Sequence, residues 1–209
     1  GLNHNPGIEG IVTDLIAKTV VLKLDPLRKN YSSQSPLTYA LYGGHFARAA
    51  ALFTHIKPDR FDDCVTEVAA CLEILISKKE WEKFSEVLNV VRALGAAFSE
   101  RIANVRVSVK ENTYPLIAQC IKNDAPPGVV KEVLSLGASA EQQISHSWRG
   151  PDGATPSLRI FPLPHLAVLL GKVHHLEELS IRPQIFDTQD QHGNYPVSML
   201  VVGTTTSET

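Results

Sequence analysis

Three histidines and two glutamates fall within the stretch "LPHLAVLLGKVHHLEEL", residues 163–179. His165, His174, His175, Glu177 and Glu178 are residue types that bind zinc or move protons as acid and base. A zinc site needs three or four such groups converging on one point. His174 and His175 are adjacent, so on a helix their side chains diverge by about 100°. His174 with Glu178 and His175 with Glu178 are spaced as helix-surface pairs, worth roughly 0.2–0.5 kcal/mol. One helical segment supplies at most two ligands from this set, so the residues predict no metal and no cofactor.

Other chemistry has even less support. The chain carries no H-E-x-x-H, no P-loop, no G-x-G-x-x-G and no G-x-S-x-G; "GASAE" (137–141) lacks the closing Gly of a nucleophile elbow. Cys64, Cys71 and Cys120 are too few and odd in number for a disulfide framework, and none sits in a C-x-x-C pair. They read as thiols of a reducing, intracellular setting. Cys71 and Cys120 lie on apolar helical faces, where thiols are buried and inert. The expectation is a protein without catalysis.

The elements that would position these residues belong to a chain of 209 residues, 44% hydrophobic and 20% charged, with a formal net charge of −2. That composition is globular. The charge gives no reason to bind nucleic acid or an anionic membrane. No apolar run approaches the roughly 18 residues of a membrane span. The opening "GLNHNPGIEG" has neither the basic nor the apolar region of a signal peptide, and without an initiator Met it reads as a trimmed piece of something longer.

Ile8, Ile11, Val12, Leu15, Ile16 and Val20 have the spacing of an amphipathic helix over 8–24, stopped by Pro26 and "RKNYSSQ". Helix-length segments then follow one another, and only "VRVSV" at 105–109 alternates like a strand. The predicted class is all-α. Segments 35–53 and 163–179 each carry a short helix with a central Ala (Ala40, Ala167), then Gly44 or Gly171, then a polar residue opening a second helix. Counted from Pro36 and Leu163, both glycines fall eight residues later, and Asn123 stands eight after Pro115. A helix that turns sharply needs a left-handed residue just past its end, which Gly and Asn tolerate.

"DTQDQHGNYPVSML" (187–200) then reads as a turn at Gly193 followed by a helix entered at Pro196, thirty-three residues after Leu163. This pattern resembles the ankyrin repeat, a β-turn and two antiparallel helices of about 33 residues. Asp190, Gly193, Tyr195 and Pro196 match that family's D-x-x-G-x-T-P, with Tyr for Thr. His165, Leu166 and Ala167 match the end of T-P-L-H-L-A, with Leu163 and Pro164 reversed. "RALGAA" and "LSLGAS", around Gly95 and Gly137, match the closing L-x-x-G-A.

The resemblance spans about 35–202 and implies a helical solenoid of about five units, the second degenerate and the fifth cut short. Residues 1–34 would form an N-terminal capping helix and linker, and 35–209 the array. Insertions at about 97–112 and 141–160 would be finger loops beside a concave face. His165 would bond backbone groups of the neighbouring turn, and Trp81 would pack one helix pair on the next. Met199, Leu200, Val201 and Val202 would lack an outer helix.

The implied function is a monomeric, cytoplasmic module that binds a partner protein or peptide. Its contacts would come from Tyr42, Leu169 and Leu170 in the groove, Trp148 and Arg149 in the second finger, and Gln191, His192 and Asn194 in the last turn. Trp and Arg are the types most enriched at interface hot spots. Two alternatives stand beside this: the regulatory or substrate-recruiting part of a longer enzyme, and a bacterial effector acting on host proteins in host cytoplasm.

Overall fold

The computed structural model describes residues 25–31, 34–109, 112–148, 157–180 and 183–199, which are mostly helical. The helix expected at 8–24 lies outside the described residues, with most of the segment assigned to the cap. The chain divides into two compact units, 1–102 and 103–209.

The first unit is built from helices α1 (Pro36–Tyr42), α2 (Phe46–Phe53), α3 (Phe61–Lys78), α4 (Trp81–Ala93) and α5 (Ala96–Ala103), the last running into the boundary. Ser35 caps α1: its Oγ accepts the Thr38 backbone N–H at 3.1 Å, and Pro36 takes the first helical position, where a missing N–H is harmless. In α3, Cys64, Val68, Cys71, Leu72 and Leu75 follow the helical period and are fully buried. Phe84, Val87, Leu88 and Val91 do the same in α4. These stripes determine the packing. Helix α1 lies against α2 and α3, α3 against α4, and α2 against α4. The unit is two stacked helical hairpins, first helix on first and second on second. Phe98 of α5 closes one side, edge-on to Phe53 and Phe61 at 5.7 and 5.0 Å between ring centroids.

The second unit repeats that arrangement with α6 (Leu116–Lys122), α7 (Val129–Ser135), α8 (Leu163–Leu169) and α9 (His174–Leu179). Here α6 packs on α7 and α8, α7 on α9, and α8 on α9. A 3₁₀ segment, Pro183–Asp187, and a helical turn at 196–199 follow.

Two antiparallel hairpins precede the helical hairpins of this unit, and they correct the reading of both insertions as loops. Strands β1 (Arg106–Val109) and β2 (Asn112–Pro115) pair Val107 with Tyr114. Strands β3 (Gln143–Trp148) and β4 (Ser157–Pro162) pair Ile144 with Phe161. Val107 and Tyr114 in the first pair and Ile144 and Phe161 in the second are buried, with the residues before them on the strands exposed, and Pro115 and Pro162, which end β2 and β4, are buried as well. The segment 97–112 also holds most of α5. The buried Gln119 ties a hairpin to a helix, its Nε2 donating to the Val107 carbonyl at 3.0 Å.

One local motif recurs in both units. Helices α1, α6 and α8 are each seven residues long and each ends on a left-handed residue eight positions after its start: Gly44 (φ 77°), Asp124 (φ 60°) and Gly171 (φ 67°). The next N–H reaches back to the third-last helical carbonyl in every case: His45 to Ala40 at 2.8 Å, Ala125 to Cys120 at 3.0 Å, Lys172 to Ala167 at 2.8 Å. This is the Schellman closure. Helix α3 ends the same way, with Lys79 at φ 57° and the Glu80 N–H on the Leu75 carbonyl at 2.9 Å. The expected residue at the third position was Asn123, whose φ is −91°; Asp124 takes the role because α6 begins at Leu116, one residue later than assumed.

Candidate functional site

Two sets of residues have the chemistry to act, the surface groups expected to contact a partner and the His/Glu cluster. Of the first set, Leu169 and Leu170 are half-buried at the end of α8, and Gln191, His192 and Asn194 are exposed in the last turn. That turn is held by Asp190. Its Oδ1 accepts the backbone N–H groups of His192 at 2.8 Å and Asn194 at 2.9 Å, and its carboxylate also receives the Asn194 side-chain amide. Burial works to raise the Asp190 carboxyl, but these N–H groups outweigh it and hold the group below the usual carboxylate range. Asn194 is therefore a turn-building residue whose carbonyl accepts from His165 Nε2 at 2.8 Å. His165, fully buried in α8, stiffens the adjoining turn in the role its motif implies.

Tyr42 is likewise engaged inside its own unit. Its hydroxyl accepts from Lys78 and lies 3.5 Å from Glu80 Oε1, while the ammonium groups of Lys78 and Lys83 sit 4.9 and 5.3 Å from the ring centroid. Trp148 ends strand β3 opposite Ser157. Arg149 lies outside the described residues. Trp81 is half-buried and meets Phe84 of its own helix edge-on at 5.7 Å.

The first unit contains a buried polar knot that the sequence reading missed. Thr38 occupies the same helical position in α1 as His165 does in α8. Its hydroxyl donates to Glu67 Oε2 at 2.5 Å, the Ser35 hydroxyl donates to the same oxygen at 2.8 Å, and Lys29 Nζ pairs with Oε1 at 2.9 Å. Burial pushes the Glu67 carboxyl up, yet Thr38, Lys29 and Ser35 together leave it below its ordinary value. Thr38 and His165 do one job with different chemistry: each joins the first helix of a hairpin to the segment that follows.

The His/Glu cluster departs from expectation. His174 and His175 open α9, and Asp124, the left-handed residue closing α6, comes up beside them. His174 Nε2 is 3.6 Å from Asp124 Oδ1, and Lys172 Nζ is 3.0 Å from Asp124 Oδ2. The two imidazole centroids are 4.0 Å apart with planes at 43°. One donor atom from each of Asp124, His174 and His175 falls within 4.8 Å of the others. The premise that ligands do not converge is thus overturned: the third comes from the neighbouring hairpin of the same unit, a distance in sequence that no helical spacing reveals.

His174 and Asp124 are exposed, whereas His175 is fully buried. Its Nδ1 lies 3.7 Å from Glu178 Oε2, beyond hydrogen-bond range, and neither ring nitrogen has a hydrogen-bond partner among the described residues. Burial and the adjacent His174 push the His175 pKa down, against Glu178 and Asp124. The Lys172 ammonium holds the Asp124 carboxyl below its usual range. Glu178 uses its other oxygen to accept the Gly128 N–H at 2.7 Å, ahead of α7. A cavity of about 470 Å³ opens alongside, lined by Pro127, Gly128, Lys131, His174, Glu177, Glu178 and Ser180.

The three cysteines are buried. Burial raises Cys64 and Cys71 to about 12 and raises Cys120 as well, so none is a ready thiolate. No helix among the described residues is long and apolar enough to cross a membrane. Comparison with protein-family models, curated proteins and solved structures finds no match to this chain.

Proposed function

We propose that this chain is a non-catalytic protein–protein interaction module of the ankyrin-like kind, binding a partner protein or peptide. The observation that carries the reading is the recurrence of one design. Short first helices close on a left-handed residue, and the hairpins stack first on first and second on second. Stacked hairpins of this sort bury a continuous core and leave turns and inserted ribbons free to vary.

In the second unit the binding surface is hairpin β3–β4, the end of α8 and the turn 191–194, with Trp148 and Arg149 as anchors and Leu169, Leu170, Gln191 and His192 around them. Tyr42 and Asn194 also have internal partners, the one in Lys78 and the other in Asp190, so any contact they make is from held side chains. Exposed Ile160 on β4 and Tyr195 beyond the turn, at 42% and 43% accessibility, add apolar surface that a partner can cover. Buried thiols with raised pKa values support the absence of cysteine chemistry.

The test is affinity capture with the intact chain against the same chain lacking 149–156, the residues between β3 and β4 in sequence. A partner held by the intact chain and lost by the shortened one, at unchanged circular dichroism, supports the proposal. Equal capture by both moves the interface off the hairpin.

A further inference from the structure

We propose that Asp124, His174 and His175 form a binding site for one divalent first-row transition cation, with zinc as the representative ion. This goes beyond the interaction-module reading and does not depend on it. Two observations carry it independently. The first is convergence: a carboxylate and two imidazoles from separate elements bring donor atoms within 4.8 Å of one another. Around a four-coordinate zinc with bonds of roughly 2.0–2.1 Å, neighbouring donors stand about 3.3 Å apart. The 3.6 Å between His174 Nε2 and Asp124 Oδ1 is already close to that. The widest donor separation, up to 4.8 Å, has to close by as much as about 1.5 Å; His174 and Asp124 are both on the surface, Asp124 paired with Lys172, and they supply that movement toward the buried His175.

The second observation is the orphaned imidazole. His175 is wholly buried, and neither of its nitrogens has a hydrogen-bond partner among the described residues. An unsatisfied buried donor or acceptor is destabilising, and native structures carry few of them. A bound cation gives one nitrogen its partner. Glu178, with Oε2 also unpartnered and 3.7 Å from His175 Nδ1, stands where a carboxylate orienting a ligating histidine belongs.

The donor set selects the ion. Two imidazoles with one carboxylate suit zinc, copper, nickel or iron, and disfavour magnesium and calcium, which take oxygen donors. Among the described residues Lys172 pairs with the same carboxylate through Oδ2, and Oδ1 faces His174. Three protein ligands leave a fourth position for water. Because Asp124 closes α6 and the histidines open α9, the ion would fasten the first helical hairpin of the second unit to the next.

The experiment is titration of the chelator-treated full chain with zinc by calorimetry, and with cobalt by visible absorption. The variants are His174→Ala and Asp124→Asn, both at exposed positions, the second keeping a side chain that tolerates the left-handed backbone. His192→Ala is the control. One equivalent of zinc bound at micromolar or tighter affinity, weakened at least tenfold in His174→Ala and in Asp124→Asn but not in His192→Ala, establishes the site. A four- or five-coordinate cobalt spectrum lost in the same two variants confirms the donor set. The proposal is overturned by millimolar or no zinc binding, or by tight binding that both variants retain. Circular dichroism on each variant separates lost ligation from lost folding. If either variant unfolds, nitrogen-15 NMR of the histidine side chains in the folded parent decides: zinc-dependent shifts of His174 and His175 at one equivalent establish the site, and shifts confined to other histidines, or none, overturn it.

Discussion

The left-handed residues that close the short helices allow a prediction with opposite signs at two positions. Gly171 has φ +67°, and a Cβ built on it meets nothing within 4 Å. Replacement by Ala therefore brings no clash, and its effect is purely that of the backbone. An L-residue in this region is disfavoured by roughly 1–2 kcal/mol, and Ala recovers about 0.4–1 kcal/mol by stiffening the unfolded chain. The net loss is about 1 kcal/mol, and a β-branched Val in its place should lose more. Lys79 is the mirror case. It is exposed, stands at φ 57° and makes the same closure at the end of α3. Lys79→Gly relieves the strain and should stabilise by up to about 1 kcal/mol after the unfolded-chain term. Urea unfolding followed by far-ultraviolet circular dichroism measures both. The reasoning fails if Lys79→Gly destabilises, as glycine does inside a helix, or if Gly171→Ala is neutral.

Other predictions rest on the buried polar contacts. Glu67→Gln loses the Lys29 ion pair and disturbs the Ser35 and Thr38 hydroxyls, and should destabilise by about 1–3 kcal/mol in chemical unfolding. The Glu67 pKa is lowered on folding, so its contribution is full above its unfolded value of about 4.3 and disappears as pH falls through the folded value. Stability measured from pH 7 down to 3 should therefore fall less steeply in the variant than in the parent, and parallel curves would refute the assignment. His165→Ala removes one of the two donors to the Asn194 carbonyl, which keeps the Asp190 N–H at 2.9 Å, and opens a void, so a loss of at least about 1 kcal/mol is expected in the same assay; a neutral result removes its bridging role. Cys64, Cys71 and Cys120 should resist a thiol reagent in the native protein and react together in denaturant, whereas one fast native thiol would contradict their burial.

What the sequence made legible was local chemistry. Gly44 and Gly171 are left-handed as their offset implies, and His165 bonds the turn its motif points to, because a turn glycine and a helix-opening histidine act over a few residues. The third left-handed position was misplaced by one. Pro115 looked like the first residue of a helix, but its ψ of 148° makes it the end of strand β2, and the count starts at Leu116. Strand β1 was legible, because "VRVSV" alternates, but its partner and the second hairpin were not: the pairing joins segments whose own buried residues, such as Tyr114 beside Pro115 and Phe161 beside Pro162, do not alternate. Asp124 was invisible as a companion of His174 and His175 for a different reason: stacking of α6 with α8 and α7 with α9 brings them together, and helical spacing within one segment carries no trace of it. The Glu67 knot was missed likewise, its partners lying in α1 and in the segment before it.

The central claim is that this chain binds another protein through the face around β3–β4, and the affinity of a captured partner for point variants tests it most directly. Trp148→Ala should weaken binding at least tenfold, which is about 1.4 kcal/mol, without lowering the melting temperature appreciably. Glu177→Lys, on helix α9 away from the hairpin, should bind as the parent does. If Trp148→Ala binds normally while melting much lower, the tryptophan is core filler and the assigned face is wrong.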